Sequence, residues 1–387
     1  MFINRILLNI IMNKKNLIVV GIVAILVLIV INLIVFSPSK EAIEIGIIAP
    51  LTGGPALWGQ GSVNMIQMAT EEINANGGIN GRDVQLIIED GKCSPQDAVN
   101  AVNKLIQVDQ VKFILGGHCS PETTAIVPII NEKKVFLLAG VTSTDDAVSS
   151  SKYAFRTSPP TLDQAKKVAD VAYDKYGYKK IALITEEAAY SKSFTTDLKK
   201  TFKGTIAEEL NYVPGEKDFR TGLAKIKAES PDAIWISPQD PNEAVLILNQ
   251  MKELDMMDIP LFGNTVFISS DVYDKSGGLL PSNAFTITLF ADPTSQKSIL
   301  VQEKYQDKFG TTIPYNLYYV SAAYDATYML KDALEDCGED VDCVTEYFNN
   351  LADYDGVSGK FTFKENGDPA FDSWKEMKIV GGKAVLE

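Results

Sequence analysis

Beyond residue 42 the apolar positions alternate between two spacings. Ile43 to Pro50 (IEIGIIAP), Val84 to Asp90 (VQLIIED), Lys112 to Gly117 (KFILGG) and Val135 to Gly140 (VFLLAG) are short, nearly continuous apolar runs, the pattern of strands buried on both faces. Between them, Gly61 to Asn76, Pro95 to Gln107 and Pro121 to Lys133 space their apolar residues helically. Ser94-Pro95 and Ser120-Pro121 each supply an N-cap followed by a first-turn proline, and Gly77-Gly78 stops the first helix. Strand, helix, strand at this spacing predicts parallel βαβ units in an open α/β sheet.

The pattern then recurs. Ile181 to Thr185 (IALIT), Asp232 to Ser237 (DAIWIS) and Leu261 to Gly263 read as strands, separated by helices near Phe194 to Phe202, Phe219 to Ala228 and Glu243 to Leu254. Two α/β lobes are therefore expected. Thr157 to Thr161 (TSPPT) lies between them, and its paired prolines cannot continue a helix, so it reads as a crossover. Helices at Ser295 to Phe309, Ser321 to Cys337 and Val341 to Leu351 follow, then a β-rich tail from Gly356 to Leu386 with turns at Asn366-Gly367 and Gly381-Gly382.

One apolar stretch obeys neither spacing. Leu17 to Phe36 is twenty residues long with Asn32 as its only strongly polar member, and at about 1.5 Å per residue it matches a bilayer core of about 30 Å. Arg5, Lys14 and Lys15 precede it and no acidic residue occurs before Glu41, so the start of the chain is expected in the cytoplasm and everything after Ser39 outside. The run exceeds the apolar region of a cleaved signal, and Ser37-Pro38-Ser39 is a poor cleavage site, so a membrane anchor is expected over a removed signal sequence.

Composition narrows the possible functions. With 50 Asp+Glu against 36 Lys+Arg and a net charge of −14, the chain lacks the basic surplus that nucleic acid demands. The first 40 residues hold four of the basic residues and no acidic one, so the acidity belongs to the exterior portion. With a single histidine, His118, imidazole chemistry has little to draw on. No cofactor motif is present: there is no P-loop, G-x-G-x-x-G, G-x-S-x-G or H-E-x-x-H.

Four cysteines suggest two disulfides. Cys93 and Cys119 lie just past the ends of two expected strands, close enough to bridge if those strands are adjacent; Cys337 and Cys343 (CGEDVDC) would then clip a turn between helices. Four free thiols, or a metal site using His118, are the alternatives, and the lack of a C-x-x-C argues against the metal. A His118-Cys119-Ser120 nucleophile is disfavoured because adjacent side chains in extended backbone diverge.

What remains is a row of polar and aromatic residues just past strand ends, where open α/β sheets bind ligands. One lobe offers Trp58, Ser120 at a helix start, and Thr142 with Ser143; the other offers Tyr190, Gln239 with Asp240, and Asn264 with Thr265. Singly, each has a structural explanation as a cap, turn or packing residue. Together, two facing rims predict a cleft, and hydroxyls with helix-start N–H groups suit a carboxylate.

IGIIAPLTGGPALWGQG, EEINANGGINGRDVQLIIEDGKCSPQDAVNAVNKLI, FILGGHCSPET, FLLAGVTST, ITEEAAYSKSF, GEKDF and SAAYDA, in that order, resemble the leucine/isoleucine/valine-binding family of extracytoplasmic solute receptors of ABC importers from Ile43 to about Leu351. The resemblance implies the type I periplasmic-binding fold: two Rossmann-like lobes with mostly parallel sheets and a hinge of three crossovers. It assigns 43–158 and 288–352 to lobe one and 159–287 and 353–387 to lobe two, after a cytoplasmic segment 1–16, the anchor 17–36 and a linker 37–42. It also supports the Cys93 to Cys119 bridge. By position it implies that Trp58 lines the ligand side-chain pocket, that Ser120 and Thr142 with the backbone around Val141 hold an α-carboxylate, and that Tyr190 closes over it, with Thr265 on the same rim.

One departure matters. Amino-acid binders of this kind carry an acidic residue after the strand ending at Gly263, to pair with the α-ammonium, and this chain has Asn264-Thr265. A buried ammonium without a carboxylate is costly, so Asp240 is expected to supply the charge; otherwise the ligand is not an α-amino acid. The expected function is binding, not catalysis: hinge closure on a small ligand, read by the permease and ATPase subunits of an importer, with a sensory ectodomain signalling through a partner membrane protein as the alternative.

Overall fold

The computed structural model describes residues 41–314, 316–370 and 374–387. The expectation of a membrane anchor at 17–36 lies outside these residues; among the described helices none is long and apolar enough to cross a membrane.

Five short strands form the first sheet: β1 (Ile43–Ala49), β2 (Val84–Asp90), β3 (Phe113–Gly116), β4 (Phe136–Ala139) and β5 (Ala154–Arg156), in the order β2-β1-β3-β4-β5. Every pairing is parallel. Strands β3 and β4 are buried at every position, as their unbroken apolar sequences require once helices cover both faces. Those helices are α1 (Ala56–Ala75), α2 (Pro95–Gln107) and α3 (Ser120–Lys133). Ser94 caps α2 by accepting the Asp97 N–H, while α1 begins five residues before its expected start, at Ala56. Gly59 makes that early start possible: a Cβ there would sit 1.9 Å from the Pro50 carbonyl oxygen.

After β5 the chain crosses through Thr157 to Pro160 into α4 (Thr161–Asp170), which runs on into one π turn. The second sheet follows, built from β6 (Lys180–Glu186), β7 (Thr205–Tyr212), β8 (Ala233–Ser237), β9 (Leu261–Gly263) and β10 (Phe285–Leu289), with helices α5 (Ala189–Thr201), α6 (Arg220–Glu229), α7 (Pro241–Glu253) and α8 (Ser270–Lys275) between them. The chain returns to the first sheet as α9 (Gln296–Phe309), α10 (Leu317–Cys337) and α11 (Val341–Asn350), then forms a two-stranded ribbon, β11 (Tyr354–Asp355) and β12 (Lys360–Phe361). It ends as β13 (Trp374–Val380) and β14 (Lys383–Leu386), which add antiparallel to the second sheet in the order β14-β13-β10-β9-β8-β6-β7.

Two boundaries differ from the sequence reading. Strand β10 belongs to the second sheet through Leu289, so the return crossing comes after residue 288. Phe361 and Phe363 pack in the first lobe's core with Phe155 and Phe348, and Arg156 of β5 binds Gly367 and Asp368, so the tail stays with that lobe to about residue 370. Aromatic burial decides this: Phe363 meets Phe155 edge-on at 5.5 Å, a contact worth roughly 1 kcal/mol beyond the area buried. Both disulfides form, Cys93 with Cys119 and Cys337 with Cys343, but the strands before Cys93 and Cys119 are not adjacent as expected: β1 lies between β2 and β3, and the loops past the strand ends bring the two cysteines together.

Candidate functional site

In a parallel sheet all strands end on the same side, and the loops there carry the polar rims. Between the two sets of strand ends lies a narrow cleft, partly open to solvent, lined by Cys119, Ser120, Val141, Ser143, Tyr190, Gln239, Asn264, Thr265, Val266 and Tyr319. Of the expected ligand-binding residues, the structure brings Ser120, Val141, Tyr190 and Thr265 to this lining. Thr142 sits just behind it, fully buried, with its hydroxyl aimed at Ser120 Oγ at 3.4 Å. Trp58 lies in the first turn of α1, and Asp240 is not part of the lining.

On the first lobe's side the site is built around the start of α3. Ser120 opens that helix, and its Oγ accepts the Ser143 N–H at 3.1 Å and the Thr144 N–H at 3.4 Å. The loop after β4 is thereby tied to the start of α3. Beneath it, Glu122 gathers the backbone N–H groups of Cys93 (2.9 Å) and Cys119 (3.0 Å), the two halves of the disulfide. Burial pushes its carboxyl up to about 7, against the pull of those N–H groups. His118 is buried, with Nε2 3.2 Å from Ser62 Oγ, and burial lowers its pKa to about 3. Cys119 is in the disulfide, so the nucleophile reading has no thiol.

The second lobe presents neutral amides and hydroxyls. Tyr190 OH donates to Gln164 Oε1 at 3.0 Å, and Gln164 donates in turn to the Ile287 carbonyl, bridging α4 to β10. Thr265 Oγ1 donates to Thr288 Oγ1. Asn264, at the position where the acidic residue was expected, donates to the Pro238 carbonyl at 2.7 Å and accepts the Phe267 N–H at 2.9 Å. A carboxylate there could not donate to Pro238, so the local turn selects the amide. Asp240 caps α7, accepting both the backbone and side-chain N–H of Asn242, and its other oxygen faces the first lobe: a Cβ on Gly54 would stand 2.8 Å from Asp240 Oδ2.

The sequence reading missed Tyr319. Its ring comes from α10, whose helical pattern was read as starting at Ser321; the Asn316 N-cap, which accepts the Tyr318 N–H at 2.8 Å, is the signal that places the start earlier. Burial raises the Tyr319 phenol above its ordinary pKa. Among the described residues no Lys, Arg, Asp or Glu lines the cleft, so any charged group entering it meets hydroxyls, amides and backbone.

Residues 42–383 match the model of a family described as periplasmic binding protein. The Leu/Ile/Val-binding protein BraC3 of Rhizobium johnstonii is 29% identical over 361 residues, covering 90% of this chain and 95% of that protein. Among solved structures, a leucine-binding protein from Thermotoga maritima superposes with a TM-score of 0.82 at 25% identity, over 89% of this chain and 98% of that one. A solute-binding protein of an ABC transporter from Rhodopseudomonas palustris, holding 3,4-dihydroxybenzoic acid, gives 0.77 at 21% identity, over 90% and 96%.

Proposed function

The chain belongs to the periplasmic binding protein family, and on that premise we propose that it is the extracytoplasmic solute receptor of an ABC importer, binding a small carboxylate in the cleft between its lobes. It is a binding protein and not an enzyme. The observation that carries the ligand class is the start of α3: a buried hydroxyl, Ser120, with Thr142 and the Val141 backbone beside it, at the positive end of a helix of 14 residues. Such a site holds an anion without a basic side chain, and none lines this cleft among the described residues.

The opposite end of the ligand distinguishes two readings. Branched-chain amino acids, named for the Rhizobium relative, need a partner for the ammonium, and this reading gives that part to Asp240, next in the chain to the lining residue Gln239 and with its Oδ2 turned toward Gly54. An acid without an amine fits the neutral lining as it stands. On either reading Tyr190 and Gln239 from the second lobe close over a ligand first held by Ser120, and the closed form is what permease and ATPase subunits engage. The apolar run 17–36 would tether the receptor beside its permease and raise its local concentration there.

A thermal-shift series with leucine, isoleucine, valine, their amides and benzoates tests both readings. Stabilisation by the amino acids that disappears in Asp240→Asn supports the first; at a ligand concentration of 100 Kd it amounts to about 2.7 kcal/mol. Stabilisation by benzoates alone establishes the second, and stabilisation by amino acids that survives Asp240→Asn removes Asp240 from the site.

A further inference from the structure

Two loops from different lobes meet at the edge of the cleft. Gly54 lies in the loop after β1, and Asp240 follows the lining residue Gln239 in the loop after β8. A Cβ built on Gly54 would stand 2.8 Å from Asp240 Cγ, 2.8 Å from Oδ2 and 3.3 Å from Cβ, and these are the three atoms nearest to it. The preceding Gly53 has φ +85°, a conformation that favours glycine whatever lies nearby. Gly54 carries no such backbone demand, since its φ lies outside the left-handed region. What keeps a side chain out at position 54 is therefore the carboxyl of the other lobe.

Neither partner steps aside without cost. Asp240 Oδ1 accepts the backbone N–H and the side-chain N–H of Asn242, each at 2.8 Å, so swinging the carboxyl away breaks the cap of α7. On the first lobe, Asp90 holds the other loop by accepting the Leu51 N–H at 2.9 Å and the Thr52 hydroxyl at 2.5 Å. Two anchored loops thus meet with no room for a methyl group between them. We propose that Gly54 and Asp240 form the stop that sets how far the lobes close. The bare Cα at 54 admits the Asp240 carboxyl, and that fit fixes the spacing of the two rims, with Ser120 on one and Gln239 on the other. Both are positioning residues. The inference rests on the two-lobe closure described above, and it gives Asp240 a task between the lobes whether or not the ligand carries an ammonium.

One test needs no ligand. In the full chain carrying Gly54→Cys with Asp240→Cys, the two Cβ atoms start 3.3 Å apart, close to the separation of about 3.5–4.5 Å that a disulfide spans. All four native cysteines are already bridged, so none competes. Mild oxidation is expected to join positions 54 and 240, read by mass spectrometry of the digested protein. If that bridge forms neither alone nor with L-leucine or benzoate present, the proposal is overturned.

The second test is a double-mutant cycle read by calorimetry with L-leucine and benzoate. Gly54→Ala is expected to weaken whichever probe binds by about tenfold, the scale of one broken helix cap. Asp240→Ser keeps a capping oxygen on a shorter side chain, and in that background adding Gly54→Ala is expected to cost nothing. A Gly54→Ala loss of equal size in both backgrounds, or no loss in either, overturns the proposal. The ammonium role is decided separately, because it requires Asp240→Ser alone to weaken L-leucine and spare benzoate. If neither probe binds, both ligand readings fail, and the bridge still decides whether the lobes meet at these two residues.

Discussion

Glu122 shows how one side chain can hold a binding wall in place. It accepts from both cysteines of the Cys93 to Cys119 bridge, and its carboxyl is pushed up to about 7 by burial. Because the folded chain holds this proton to about 7 and the unfolded chain only to about 4.5, stability falls as pH climbs through that interval, by roughly 3 kcal/mol at about 1.4 kcal/mol per unit. Glu122→Gln is expected to remove this share of the pH dependence. It is also expected to lower stability at pH 5, because an amide has one acceptor oxygen for N–H groups that now use two. Urea unfolding at pH 5 and 7.5 checks both effects, and an unchanged wild-type difference in the variant refutes the assignment.

At the scale of elements, the informative piece is the buried ion pair that ties β5 to the tail. Arg156 is fully buried; its Nε donates to Asp368 Oδ1 at 2.6 Å, its Nη1 to the Thr144 carbonyl and its Nη2 to the Asp145 carbonyl. One guanidinium thus fixes β5, the loop after β4 and the turn at 366–368. Arg156→Met leaves the Asp368 carboxylate buried and unpaired, at an expected cost of about 3–5 kcal/mol, and Asp368→Leu added to it is expected to recover part of that loss. Denaturant midpoints of the two variants settle it; a single substitution costing under about 1 kcal/mol sinks the account.

The elements that were legible in sequence are those whose burial is uniform. Strands β3 and β4 are apolar because helices cover both faces. Strand β7 (TIAEELNY) was missed because it is an edge, half-exposed, with Glu209 paired to Lys199 on the surface. Strand β10 hides Thr286 and Thr288 in its interior, so its pattern reads as amphipathic although every position is buried. The site divides in the same way. Ser120, Tyr190 and Thr265, read from their places past strand ends, and Val141, read from the family resemblance, all line the cleft. Tyr319 reaches the cleft from a helix far along the chain, and no local pattern records that approach. Asp240 was read by its charge, whereas its place before Pro241 makes it first of all a helix cap.

Across the whole molecule, the two lobes meet near the crossover through Thr161. Its hydroxyl lies 3.1 Å from Asp145 Oδ1 of the first lobe, 2.8 Å from Asp197 Oδ2 of α5, and 2.7 Å from Ser193 Oγ. Burial, with Asp197 beside it, holds the Asp145 carboxyl above its ordinary range. Thr161→Val removes the one hydroxyl that touches both acids and is expected to cost about 1–3 kcal/mol, the penalty for buried acceptors left unmet. The same variant should shift the balance between open and closed lobes, read as a change in radius of gyration by solution scattering without ligand. A variant with wild-type stability and scattering would mean that the crossover is held by its prolines and apolar contacts alone.

Every polar group that lines the cleft sits in a turn or helix start after a strand, or at the head of α10, and none is part of a strand. The two sheets therefore carry no information about which solute is taken. On the proposed reading the choice of solute falls to a few loop and helix-start positions, among them 120, 141, 239 and 265, and can change while the cores that determine whether the chain folds at all stay untouched.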